Sequence, residues 1–296
     1  MSASSVDDTE VPNSPCRLRA AMSERTTERD RSDDPPHHDV LIVGGGVAGL
    51  TAAIYTARAG LDTLVCDGDE SILRRNAHLE NFPGFPAGVN PRLFAEMLHA
   101  QATRSGADLV EGRIAELRRV DGDGSDGDRP DEPAGFLAVA DDGSRVRADR
   151  VIAASWADTA YLDPVEPEIR SAGSKAFLAD DPDGHTSVEG LYAAGRLAER
   201  YHQSVVAAGD GARTAITLIH DSETPFYHDW VVPDGYFTDR GREVPPGCEE
   251  IDATERAARQ AESRAAMREY FDAAHEQRQR THPSLVDDEL GRVEEP

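Results

Sequence analysis

The sequence predicts an α/β protein with a central parallel sheet, and three observations carry that prediction. Residues 40–43 form an unbroken apolar run, the pattern of a strand buried on both faces. A glycine-rich turn, Gly44-Gly45-Gly46-Val47-Ala48-Gly49, follows at once. Val47, Leu50, Ile54 and Ala57 then recur at helical spacing up to Gly60, and residues 63–66 make a second short strand. Strand, turn, helix and strand in that order make a β-α-β unit.

The later elements can be read in the same way. A turn-rich stretch at 81–86 is followed by Asn90, a helix cap, and Pro91, suited to a first helical position. Leu93, Phe94, Met97 and Leu98 supply an apolar face, and Gly106 ends the helix. Residues 109–110 and 114–120 read as strands. Residues 135–140 and 144–147 form a hairpin around Asp141-Asp142-Gly143, a small antiparallel insertion. A separate buried strand is expected at 151–154, a late strand at 191–194 and a late helix over 205–219. A C-terminal helix is expected from Ala253 to about Ala274, with Asp252 and Glu255 at capping-box spacing. Four segments follow: a polar tail at 1–36 of disordered composition, a split nucleotide domain at 37–221, an extension with a helix at 222–280, and a polar tail at 281–296.

Composition excludes several functions. The chain has 296 residues, 31 Lys+Arg and 56 Asp+Glu, a formal charge of −25. A phosphate backbone would be repelled by such a surface, which argues against nucleic acid as partner. No apolar stretch is long enough for a membrane span, and the N-terminus lacks an apolar signal core, so a cytoplasmic protein is expected. Lys175 is the only lysine. Acid excess with almost no lysine suits a folded, halophilic protein, because salt of order 1 M shortens the Debye length to about 3 Å and screens carboxylate repulsion. Three scattered cysteines, Cys16, Cys66 and Cys248, offer neither a disulfide framework nor a Cys-x-x-Cys pair.

The turn at 44–49 fits G-x-G-x-x-G, and its placement between strand and helix makes it a Rossmann-like nucleotide-binding fingerprint. Gly44 permits the tight turn, Gly46 lets backbone approach a pyrophosphate, and Gly49 lets helix and strand pack closely. Val47 and Ala48 open the helix, whose free N–H groups face the anion. Asp67, at the end of the second strand, is placed to accept from ribose hydroxyls; Asp69 is a weaker candidate.

Three blocks resemble the thioredoxin reductase-like FAD-dependent oxidoreductases: residues 39–60 (DVLIVGGGVAGLTAAIYTARAG), 80–86 (ENFPGFP) and 186–211 (TSVEGLYAAGRLAERYHQSVVAAGDG). The resemblance implies FAD as cofactor, held in a three-layer fold. It places Asn81 near the isoalloxazine, Gly195 and Arg196 near the ribityl and pyrophosphate, Gln203 and Ser204 at a helix N-terminus under the flavin ring, and Ile114 against adenine. The departures are equally informative. The family carries a nicotinamide-nucleotide domain and a redox Cys-x-x-Cys between its two flavin halves, whereas only about thirty residues separate Ala154 from Thr186 here. Its late strand usually ends Gly-Asp, and this chain has Gly195-Arg196. Arg196 suits a phosphate partner or a surface salt bridge. Arg74 and Arg75 replace a glycine-rich segment and suit either an anion or surface carboxylates.

These readings lead to a flavoprotein oxidoreductase passing electrons between an unidentified donor, NAD(P)H included, and a small-molecule or protein acceptor. A non-catalytic FAD or dinucleotide sensor is the alternative. No catalytic residue is assigned; His78, His202 and Tyr201 near the flavin edge are candidates for proton donation or for structural roles. Cys66 reads as a small buried residue, and Cys248 as a thiol blunted by neighbouring acids. Asp121, Asp123, Ser125 and Glu132 have calcium-loop spacing but lack the sixth-position glycine, so no metal is expected. Trp230, Tyr236 and Phe237 would cover the space of the absent domain, or the alanine-rich helix would form a homodimer seam.

Overall fold

The computed structural model describes residues 34–275 except 69–70, 121–133, 174 and 227. The terminal tails, Asp69, Cys16 and the calcium-spaced loop lie outside the described residues. Eleven strands and four α-helices are found among those described: β1 His37–Val43, α1 Val47–Arg58, β2 Thr63–Asp67, α2 Pro91–Ser105, β3 Asp108–Glu111, β4 Ile114–Val120, β5 Gly135–Ala140, β6 Arg145–Ala153, β7 Ile169–Ala172, β8 Lys175–Leu178, β9 Leu191–Ala193, α3 Ser204–Asp221, β10 Trp230–Pro233, β11 Cys248–Ile251 and α4 Ala253–Phe271.

The main sheet has the order β3-β2-β1-β6-β5-β4, with β9 also paired to β6. Strands β3, β2, β1, β6 and β9 run parallel, while β4, β5 and β6 are joined antiparallel. Alternation splits the core along β1. Val40 and Ile42 face Leu50, Leu93, Phe94 and Leu218 of the helices. Leu41 and Val43 face Leu117, Phe136, Tyr161 and Leu197. Val40, Leu41 and Ile42 are fully buried, which explains the unbroken apolar run. Each contributes roughly 1.5–3 kcal/mol by burial.

The separate strands expected at 144–147 and 151–154 are one strand, β6. Its residues 145–148 pair with β5, residues 151–153 pair with β9, and one continuous edge pairs with β1 from His37 to Val43. That continuous pairing carries the strand through the polar residues Asp149 and Arg150, which interrupt the apolar pattern. The expected caps are present. Asn90 Oδ1 accepts the Arg92 N–H at 2.9 Å, Gly106 ends α2 at φ 108°, and Asp252 Oδ1 accepts the Glu255 N–H at 2.8 Å.

The short parallel ribbon β10–β11 was not legible in the sequence. Its loop is held by Glu250, whose carboxylate accepts from the N–H groups of Gly235, Phe237 and Thr238. Trp230 stacks on His228, and Tyr236 meets buried Phe237 edge-on. These aromatics therefore pack the extension itself. None of the three lines the main cleft. Arg58, at the end of α1, pairs in a two-pronged fashion with Asp229 at 2.5 Å, fastening the extension. No residue of α4 is buried.

His185 bridges two carboxylates, Asp181 at 3.1 Å and Asp221 at 2.8 Å, joining the β8–β9 connection to the end of α3. Burial opposes its charge, but the hydrogen bonds to Asp221 and Asp181 outweigh that and raise its pKa. The associated stability is complete below the unfolded value of about 6.5 and is lost as pH rises through the raised folded value. Thermal unfolding of the parent and His185→Gln at constant salt checks this. The gap between their midpoints is expected to narrow from about pH 6 to about pH 9; a constant or widening gap refutes it.

Candidate functional site

One large cleft, of about 1110 Å³, opens at the carboxyl ends of β1, β2 and β6. Ligands of open α/β sheets bind in this position, where the chain leaves adjacent strands in opposite directions. Residues from both sequence halves line it. Of the sequence-predicted residues, Gly44, Gly46, Val47, Ala48, Asp67, Asn81, Ile114, Arg196, Gln203 and Ser204 are brought together on its walls. Gly49 and Gly195 do not line it.

Gly49 acts one layer behind the wall. A Cβ there would stand 1.9 Å from the Gly44 carbonyl oxygen, so α1 could not return across the turn it leaves. Gly46 is different. A Cβ at that position would meet only Ser71 Oγ, at 3.8 Å, so the space before it belongs to the cleft. Gly46 caps α1 without a side-chain hydrogen bond, and Gln203 caps α3 likewise. Two helix N-termini with unsatisfied N–H groups thus converge on the cleft, each carrying about half a positive charge.

Asp67 lies beside the glycine turn and accepts a hydrogen bond from the Gly45 backbone. Burial pushes its carboxyl up and pushes the His99 imidazole, 3.6 Å away, down. Ribose hydroxyls would restore donors to a carboxylate that has lost water. Ile114 is buried at the start of β4, where the β4–β5 register slips. Across the cleft, Asn81 Nδ2 donates to Gln203 Oε1 at 2.7 Å.

Arg196 makes no surface salt bridge to a carboxylate among the described residues. Its guanidinium lies over the Phe177 ring at 4.7 Å and donates to the Arg200 carbonyl at 3.1 Å. Arg75, His78, Tyr201 and His202 line the cleft, whereas the Arg74 carbonyl accepts from buried Arg92. Two further features were missed in the sequence. Ser155, Trp156 and Asp158 follow the end of β6 and line the cleft; their position after a buried parallel strand was the available signal. Asp210 is buried in α3, accepting from the Gly195 N–H at 2.7 Å and pairing with Arg200 and Arg213. An acid in the Ala/Gly-rich first half of the helix, three residues before Arg213, was its signal.

Comparison with known proteins agrees with this geometry. The FAD binding domain family matches residues 39–74. Thioredoxin reductase of Mycolicibacterium smegmatis is 36% identical over 127 residues, 42% of this chain and 37% of that protein. Thioredoxin reductase of Listeria monocytogenes is 43% identical over 89 residues, 29% of this chain and 26% of that protein. The matched stretches thus span between about a quarter and just over a third of these relatives. Among solved structures, an oxidoreductase from Agrobacterium tumefaciens (TM-score 0.55, 16% identity) covers 64% of this chain and 100% of its own. A thioredoxin reductase from Gloeobacter violaceus (TM-score 0.53, 15% identity) covers 66% and 100%. These two show the fold. The chain carries a Rossmann-like FAD-binding domain. It is related to the FAD-dependent thioredoxin reductases.

The open space at Gly46 gives a direct test. Its extended backbone accepts a β-branched residue, so Gly46→Val is expected to cost no more than about 1 kcal/mol of stability while filling the cleft. Urea unfolding should remain close to the parent's, and FAD retention should be lost. Unchanged retention in Gly46→Val would separate the glycine turn from the cofactor.

Proposed function

We propose that the protein is an FAD-dependent oxidoreductase that works without a redox dithiol. The observation that carries this reading is the convergence of two uncapped helix N-termini, Asp67 and Ile114 on one continuous cleft. When bound there, FAD supplies hydride and electron transfer. The chain's own residues bind and orient. Gly46, Val47 and Ala48 present backbone N–H groups to the pyrophosphate, Asp67 accepts from the adenosine ribose, and Ile114 packs on adenine. Asn81, Gln203 and Ser204 face the flavin end. Gly195, fixed by Asp210, turns the chain beside the ribityl, with Arg196 next to it.

The β6–β9 interval supports a small redox partner docking directly at the cleft. It holds the 3-10 turn Ala160–Val165 and the β7–β8 hairpin, a span much shorter than a nucleotide-binding domain. NAD(P)H or another reductant would approach the open flavin end, and the acceptor would use the same face. Cys66 argues against thiol chemistry in the wall. Burial, reinforced by Asp67, pushes its thiol up to about 12. It would stay protonated and poorly nucleophilic near neutrality.

Purified protein is expected to be yellow, with absorbance at about 450 nm, and to be bleached anaerobically by NADPH or NADH. Colourless protein that refuses added FAD overturns the proposal, and failure of both nucleotides to bleach yellow protein favours the sensor reading. Iodoacetamide at about pH 8 should label Cys248 and spare Cys66 in folded protein. Rapid Cys66 labelling would reopen a thiol mechanism.

A further inference from the structure

Trp156 stands at the cleft wall just beyond β6, with a backbone φ of 62°. A bulky aromatic residue in the left-handed region is strained, and such strain persists where neighbouring contacts over-determine it. They do so here. Ser155 Oγ donates to the Asp158 carbonyl at 2.8 Å and lies 3.0 Å from Tyr161 Oη. The Ala160 N–H donates to Asp158 Oδ1 at 3.2 Å, and Arg113 pairs with Asp158 at 2.6 Å.

The outcome is an indole 37% exposed on the cleft wall, with the His202 ring edge-on at 4.5 Å. Arg196 and Lys175, the only lysine, both act electrostatically on His202. Among the described residues neither cation is paired with a carboxylate, although acids outnumber bases 56 to 31 in this chain. An exposed aromatic face on the wall that Arg196 also lines, with Lys175 acting electrostatically on the same His202, is a recognition surface for a ring that carries negative charge.

We propose that the cleft mouth is a second-substrate subsite for a small planar aromatic anion. The ring lies on Trp156, bounded by His202, and the anionic substituent points toward Lys175 and Arg196. As the meeting place of substrate and cofactor, the subsite rests on the flavin reading of the cleft.

Titration calorimetry of the FAD-loaded protein tests this, with nicotinate as the probe. Nicotinate should bind saturably. Nicotinamide, with a similar ring but no charge, and acetate, with charge but no ring, should each bind at least about 10-fold more weakly. Trp156→Gly suits the left-handed backbone and removes the ring; it should lose at least about 10-fold, whereas Trp156→Phe stays within about 3-fold. Lys175→Gln should lose about 5-fold at low salt, with the difference disappearing at about 1 M KCl. Nicotinate should also quench Trp156 emission in a Trp230→Phe background. Equal binding of nicotinamide, or unchanged binding by both Trp156→Gly and Lys175→Gln, overturns the subsite. Yellow protein without saturable nicotinate binding overturns the subsite alone. Colourless protein that binds nicotinate with this variant pattern keeps the subsite and overturns the flavin reading.

Discussion

A helix that starts where a buried strand ends must reverse the chain within three residues and then lie against the strand it has left. Here that reversal leaves no room for a side chain at Gly49, whose place is taken by the Gly44 carbonyl. The same constraint sets the neighbouring strand ends. Gly44 N–H donates to the Cys66 carbonyl, Ala154 N–H to the Val43 carbonyl, and Ala194 N–H to the Ala153 carbonyl, all at 2.9 Å. Four strands therefore end in register at one level. The cleft is the space left above them, with the strand ends at its base and the connections that follow them forming most of its walls.

From that turn, α1 carries the constraint across the molecule. Its N-terminus faces the cleft, and about 18 Å away its last residue, Arg58, grips Asp229 of the extension. Two further polar attachments are Arg104 to Glu262, which is exposed, and His275 to Glu96, in which the histidine is largely covered. An exposed pair such as Arg104–Glu262 contributes up to about 1 kcal/mol and weakens with salt. Apolar attachment comes from Tyr270 on the core and from Phe271, 6.4 Å from Phe85. Phe85 belongs to the loop that bears Asn81, so the extension reaches the cleft through aromatic packing as well as through α1.

Much of this fold was legible because its signals are local. Residues 40–43, the glycine turn, Asn90-Pro91, Gly106 and Asp252 each announce an element through short-range chemistry. Tertiary pairing hid the rest. Strand β6 is continuous because β1 pairs with it across Asp149 and Arg150, and no local pattern records that partner. The β10–β11 ribbon depends on Glu250 reaching amides more than ten residues away. Ten of the twelve site residues expected from the sequence meet in one cleft, since the glycine fingerprint and the family blocks mark strand ends. Trp156 escaped notice because its importance lies in a backbone angle, and Asp210 because its partners come from the Gly195 turn and from Arg200.

In the proposed function the cleft must also attract an anionic cofactor to a chain of net charge −25. Long-range forces work against it, so local sources have to win. The unsatisfied N–H groups of α1 and α3 are such sources, and they cost no reorganisation because the helices are fixed by packing. Side-chain cations near the mouth add to them at short range. Raising salt to order 1 M shrinks the Debye length to about 3 Å. Repulsion from distant surface carboxylates is then screened away, while hydrogen bonds in direct contact persist. An acidic exterior and an anion-binding cleft are therefore compatible when the attraction is built from backbone amides at contact distance. The proposed pyrophosphate site, where the glycine turn meets α1, is of that kind.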